Sequence, residues 1–485
     1  MDERVLDAQR GVNATYSGIA GYDRCPENGK TNWATMYSLT QGLQHELGIQ
    51  ELSHAFGPPT MSKVDARGRV GPGEQNKNIG NIIKCAFYCK GYPGGDLDGI
   101  WRSSPPFGPQ QDAVAGSLYA MTDNMGIGKQ DRLNAKLFKA LLTMDAYVLV
   151  AGGDPEVRKI QQWLNGRYWR RSFATLIPTE GHYSRDVQKL LMKALQSEFG
   201  IADSSVNGNF GPATRQQLAA HILKPGDSGV LVELLSAACV FNGAVPRGKG
   251  MVHTMFKSTF DDKLAKYIQA FQAFSLLPVT NRVDYATWCQ LLVSTGDPNR
   301  AAHACDTRFT ITESLAHSLV RSGYRVVGRY LDEPPGGKLD KKLKDGELHA
   351  IFAGNMRVFP IWQYNARDLI DFSFESGWEH GNKAHDRMVY YGFNPGAIVY
   401  FSVDYDATDP EIDSNIIPYF RGVQAALASR GHAYRAGVYG CRNVCSRVSE
   451  QTYTVSSFVS GMSWGFSGNL GFPLPYNWSF NQIQE

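Results

Sequence analysis

Apolar residues recur at helical spacing through roughly the first 300 positions, then give way to short apolar runs separated by amphipathic stretches. Val5, Ala8 and Val12 fall at i, i+3 and i+7 and share one helix face, as do Val157, Ile160 and Leu164. The two stretches also share polar letters, because aligning Val5 with Val157 brings Gln9 onto Gln161, Asn13 onto Asn165 and Tyr16 onto Tyr168. LTQGLQHELGI (39–49) recurs as LMKALQSEFGI (191–201), and IIKCAFYCKG (82–91) as LLSAACVFNG (234–243). FGPPT (56–60) recurs as FGPAT (210–214), and DRLNAKLFKALL (131–142) as NRVDYATWCQLL (281–292). Residues 1–150 and 151–298 are therefore predicted to be two copies of one all-α unit, each a pair of three-helix modules. In the FGPxT turn, Pro suits a tight turn and Thr suits the cap of the helix that follows.

From residue 299 to 485 the pattern changes. HACDT (303–307), YRVVGRYLD, MRVFPIWQY, AIVYFSVDYD, RAGVYG, SSFVSGMSW and NWSFNQI read as short strands, with amphipathic helical stretches between most of them. That alternation predicts an α/β fold, a TIM-type β/α barrel rather than a small open sheet. Polar residues gather where strands give way to loops: Asp306, Arg329 and Asp332, Gln363 and Tyr364, Asp404 and Asp406, and Tyr439. The C-terminal rim is where such barrels keep their chemistry.

YFSVDYD (400–406) is the sharpest signal. In a continuous strand Asp404 and Asp406 point to one face, about 7 Å apart along the backbone. Two carboxyls with separated pKa values, one protonated and one ionised, are what cleavage of a glycosidic bond requires. Asp404, Asp406 and Asp306 are the candidate catalytic residues, and Glu485 is a further possible acid. Arg329 would grip a carboxylate, and Asp332, Gln363, Tyr364, Tyr439 and Gln482 would bind substrate hydroxyls. Trp362, Trp464 and Trp478 suit sugar stacking or core packing equally, and His303 reads as a packed histidine.

Composition narrows the partners. Hydrophobic residues make up 43% and charged residues 20%, an ordinary globular balance, and a net charge of +3 is too slight to argue for nucleic acid. The eight cysteines show no CxxC pair or zinc-type His/Cys spacing, so free thiols, no metal and no cofactor are expected. No run of 18 apolar residues predicts a membrane span, and MDERVLDAQR has no signal-peptide pattern. The oligomeric state is left open by these features.

VRKIQQWLN followed by GNFGPATRQQLAAH resembles the peptidoglycan-binding three-helix module, well over 154–295 and more weakly over 4–146, where GPGEQNKN, GYPGGDLDG and SSPPFGP interrupt it. HACDT, VVGRYLD, FPIWQY, YFSVDYD and the strands after them resemble the glycoside-hydrolase-like domain related to family 25 (Chalaropsis-type) lysozymes. The resemblance places Asp306 at the end of the first strand and an acidic pair on the fourth. There the lysozymes carry Asp-x-Glu, with the Glu as general acid, and Asp406 is shorter by one methylene. It implies a peptidoglycan hydrolase of muramidase type, extracellular or wall-associated, whose helical repeats dock the wall. The alternative is a non-catalytic wall-binding protein on a degenerate barrel. Family 25 barrels end in several strands with few helices, so a stop at WSFNQIQE leads us to expect a shortened fold or a chain cut within it.

Overall fold

The computed structural model describes residues 1–102 and 113–484. The SSPPFGP insertion and Glu485 lie outside the described residues. The chain forms two compact units, one of Met1–His182 with Lys189–Asn209 and one of Tyr183–Gln188 with Phe210–Glu485.

The first unit is helical, with Glu3–Tyr16, Trp33–Glu46, Pro58–Arg67, Lys77–Cys89, Ala113–Asn124, Ala135–Leu141 and Pro155–Tyr168 as its complete helices. Its core includes Leu39, Ile82, Phe87, Leu118 and Phe138. The letters shared by the two aligned stretches, 5–16 and 157–168, are buried polar staples. Gln9 Oε1 accepts from the Gly29 N–H at 2.8 Å and Gln161 Oε1 from the Gly181 N–H at 2.9 Å. Asn13 Nδ2 donates to the Cys25 carbonyl and Asn165 Nδ2 to the Ile177 carbonyl, both at 2.9 Å. Tyr16 donates to Glu46 at 3.0 Å and Tyr168 to Glu198 at 2.7 Å. Each amide satisfies loop backbone that would otherwise be stranded inside the protein, which explains why these polar letters recur. The turn threonine has a different role from the expected cap: Thr60 is buried in the first helical turn and accepts from Gln44 Nε2 at 3.1 Å.

The second unit carries the helices Pro212–Ala220, Val230–Phe241, Asp262–Phe274 and Tyr285–Leu292, followed by seven parallel strands. These are β1 (Ala304–Asp306), β2 (Val326–Tyr330), β3 (Arg357–Trp362), β4 (Ile398–Ser402), β5 (Arg435–Gly440), β6 (Ser456–Val459) and β7 (Trp478–Asn481), hydrogen-bonded in sequence order. No ladder joins β1 to β7 among the described residues, so the barrel is nearly closed. Aromatic rings fill its interior, with Phe359 against Tyr400, Phe458 and Phe480 at centroid distances of 5.6, 5.5 and 4.3 Å. A Cβ on Gly328 would lie 2.5 Å from the Phe359 ring, so only glycine leaves room on β2 for this cluster. Outside, the helices Phe374–Tyr390 and Ile417–Ser429 approach closely, because a Cβ on Gly422 would stand 2.1 Å from the Phe374 carbonyl oxygen.

The barrel is anchored on the helices of its own unit. The Trp478 indole N–H donates to the Phe274 carbonyl at 3.2 Å, and Ser294 Oγ donates to the Gly461 carbonyl at 2.6 Å. Trp478 is half-buried, tied to that helix end and also part of the wall of the barrel cavity, whereas Trp362 is fully buried. All eight cysteines are free thiols.

Candidate active site

Strand ends set the site. A cavity of about 1180 Å³ opens at the C-terminal ends of the strands and runs along the seam between β1 and β7. Asp306 ends β1, Gln363 follows β3, Asp404 follows β4, Tyr439 lies near the end of β5 and Gln482 follows β7. All five line the cavity. Tyr439 donates to Gln482 Oε1 at 2.9 Å, and Gln482 Nε2 donates to Asp306 Oδ1 at 3.2 Å, so a side-chain relay bridges the seam where backbone pairing stops.

The two cavity carboxyls have different neighbours. Asp404 accepts from Gln363 Nε2 at 3.1 Å, its Oδ2 is 3.8 Å from Arg367 Nε, and its backbone N–H donates to the Ala366 carbonyl at 2.7 Å. Ala366 holds a left-handed φ of 62°, which turns the loop after β3 back toward Asp404. Burial raises the Asp404 pKa, while Gln363, Arg367 and Lys341 pull it back down. Burial also raises Asp306, where only hydrogen bonds, chiefly that from the neutral Gln482 amide, oppose the shift.

Four of the residues expected at the site lie elsewhere. β4 ends at Ser402, so Asp404 and Asp406 do not share the face of a continuous strand. Asp406 is exposed, does not line the cavity, and accepts from Ser467 Oγ at 2.8 Å and the Gly468 N–H at 3.4 Å. Arg329 is fully buried, with Nε 2.6 Å from Glu347 Oε1 and Nη1 donating to the Thr307 and Lys341 carbonyls at 2.7 and 2.9 Å. Its Nη2 donates to Glu347 Oε2 at 3.2 Å and the Lys342 carbonyl at 3.5 Å, so its donors are spent inside the protein. Asp332 accepts from the Tyr364 hydroxyl and from Arg387 Nη2, each at 2.9 Å, and neither Asp332 nor Tyr364 lines the cavity.

Sequence reasoning missed Lys341, Arg367 and Tyr330, all of which line the cavity. Arg367 had a legible signal, four residues beyond Gln363 in the loop leaving β3. His303 also lines the cavity, and Trp464 is 73% exposed on the loop after β6. Among the described residues no cluster of three or more His, Cys, Asp or Glu side chains is arranged to hold a metal ion.

Residues 150–292 match the family described as FadG/YbfG, PGDB-like domain, and residues 317–484 match the Rv2525c-like, glycoside hydrolase-like domain. The uncharacterized protein FadG of Bacillus subtilis (strain 168) is 43% identical over 487 aligned positions, spanning all of this chain and 82% of FadG. The uncharacterized protein YbfG of the same organism is 38% identical, and this chain spans 65% of its length. The Tat-secreted protein Rv2525c of Mycobacterium tuberculosis, solved in complex with HEPES, is 21% identical with a TM-score of 0.29, over 33% of this chain and 78% of that one. An uncharacterized B. stearothermophilus protein is 19% identical with a TM-score of 0.26, over 32% of this chain and 72% of that one.

Proposed function

Since this chain belongs to the FadG/YbfG family and carries a glycoside-hydrolase-like domain, we propose that it hydrolyses a glycosidic bond in bacterial cell-wall polysaccharide. The observation that carries the reading is the pair Asp306 and Asp404, two carboxyls on the wall of one cavity in different environments. Asp306, whose pKa burial raises with no cation opposing the shift, is the better placed of the two to serve as the general acid to the leaving oxygen. Asp404, held by Gln363 and flanked by Arg367 and Lys341, is the ionised partner that stabilises positive charge on the sugar or activates its attacker. Gln363 and Gln482 fix the two carboxyl orientations, and Asp406 positions the Ser467 turn. In this reading the helical repeats dock the same polymer, peptidoglycan or a related wall glycan, and tethering raises substrate concentration at the barrel. Its place of action is outside the cell or at the wall.

The test incubates purified peptidoglycan with wild type, Asp404→Asn, Asp306→Asn and Asp406→Asn, following new reducing ends by mass spectrometry. The wild type releases them, Asp404→Asn and Asp306→Asn lose about 10²–10⁴-fold, and Asp406→Asn, which still accepts from Ser467, retains activity. A second reading has its own observation: the acid standing where the lysozymes carry Glu is turned onto Ser467, away from the cavity. Under it the protein binds the wall without cleaving it, so no variant or wild type gives reducing ends while all sediment with the wall.

A further inference from the structure

Among the described residues, four basic side chains, Arg300, Arg308, Lys341 and Arg367, line the cavity against two acidic ones, Asp306 and Asp404. The basic side chains on this wall therefore outnumber the acidic ones even when both carboxyls are ionised.

Lys341 is the most telling of the four. It is 5% exposed, yet its Nζ makes no hydrogen bond or ion pair with any described residue. The ammonium lies 4.7 Å from the centroid of the Tyr330 ring, a cation–π contact that orients it without neutralising it. Its backbone is fixed on both sides, with the N–H donating to Glu333 Oε2 at 3.3 Å and the carbonyl accepting from Arg329 Nη1 at 2.9 Å. Glu333 also accepts from the Leu339 and Asp340 N–H groups at 2.9 and 3.1 Å, so the loop presenting Lys341 is tightly organised. Burial lowers the Lys341 pKa to about 8, which leaves the side chain mostly charged at neutral pH. Glu333 and Asp404 act on the ammonium only from a distance, so a buried cation is held without a direct partner, which is costly, and the fold has built a clamp to do it. Arg367, 69% exposed in its side chain, supplies a second cation on the same wall.

We propose that the cavity takes a sugar bearing a carboxylate, and that Lys341 is the residue that pairs with it. This deepens the glycan reading and rests on it. A neutral sugar leaves the ammonium unpaired, whereas a carboxylate gives it a charge-assisted hydrogen bond.

Calorimetric titration of the full chain with D-glucuronate, its methyl ester, N-acetylmuramate and N-acetylglucosamine tests the proposal. The two acidic sugars are expected to bind at least about tenfold more tightly than the ester and the neutral sugar, the fold-change a single charged hydrogen bond supplies. The stronger of the two acids tells whether the carboxylate sits on the ring or on an ether arm. Lys341→Met, or Lys341→Gln if the first fails to fold, is expected to erase the preference, bringing the acidic sugars to the affinity of the ester and the neutral sugar. Equal affinity for glucuronate and its ester on the wild type, or a preference that survives in the Lys341 variant, overturns the proposal and leaves the glycan reading standing. Binding of none of the four sugars overturns both.

Discussion

Arg329→Met tests the clamp beneath the site. The substitution keeps the aliphatic stem and removes a guanidinium that makes five hydrogen bonds, two to Glu347 and three to the carbonyls of Thr307, Lys341 and Lys342. Glu347 is fully buried in its side chain and accepts from the Ile311 and Lys344 N–H groups, each at 2.9 Å, so it stays in place without its counter-charge. Removing one partner of a buried pair costs about 3–5 kcal/mol, because the remaining charge is stranded where water cannot reach it. With about 2–4 °C per kcal/mol, the barrel's thermal midpoint is expected to fall by roughly 6–20 °C. The local effect is more specific. Thr307 follows Asp306, and the Lys341 carbonyl is the far anchor of the loop that carries the unpaired ammonium. Hydrogen exchange in peptides covering 304–311 and 338–347 is therefore expected to accelerate below the global transition, with the preference for acidic sugars falling alongside. Glu347→Gln on the Arg329→Met background is expected to recover part of the loss by removing the stranded charge. The exposed pair Lys383–Glu379 is the control, and Lys383→Ala is expected to cost under about 1 kcal/mol. A loss below about 1 kcal/mol in Arg329→Met, with exchange unchanged in both peptides, refutes the clamp.

Two further predictions concern stability. Burial raises the Asp306 pKa in the folded state, so its contribution is full below the unfolded value of about 3.9 and is lost as pH rises through the folded one. Asp306→Asn still accepts from Gln482, and is expected to raise the urea midpoint at pH 7 and leave it unchanged near pH 3; a lower midpoint at both would show that the carboxyl is not held against its ionisation. Gly422→Ala sets a Cβ 2.1 Å from the backbone carbonyl of Phe374, which yields only if the helix moves, so a loss of about 1–3 kcal/mol is expected in place of the gain Ala normally brings to a helix. A higher melting temperature for that variant would mean the two helices part at little cost.

The seven strands were legible because each is a short apolar run bounded by turn residues. The strand-end positions of Asp306, Gln363, Asp404, Tyr439 and Gln482 follow from those boundaries. Facing was harder to read. On β2 the residues alternate, and Gly328 and Tyr330 meet the barrel interior while Val327 packs into the cluster with Ile311, Ala316 and Ile351. Arg329 shares the outward parity of Val327, so period-two counting alone takes it away from the cavity and toward the helix that carries Glu347. On β4 the same counting failed for a different reason, because the strand stops at Ser402 and parity has no meaning for Asp404 and Asp406 beyond it.

Lys341 had no pattern to betray it. It sits within residues 331–346, where LDEPPGGKLDKKLKDG has neither a strand nor a helix period, and its place depends on Glu333 and Arg329 acting together. The acids of the cavity lie at or just beyond strand ends and are therefore visible in the sequence, whereas two of its cations, Lys341 and Arg367, are loop-borne and placed by tertiary contacts. A reading of sequence alone accordingly finds the carboxyls of a sugar cleft and misses these two cations. Among the described residues the folded chain lines that cleft with more basic side chains than acidic ones, the arrangement on which the proposed preference for acidic sugars rests.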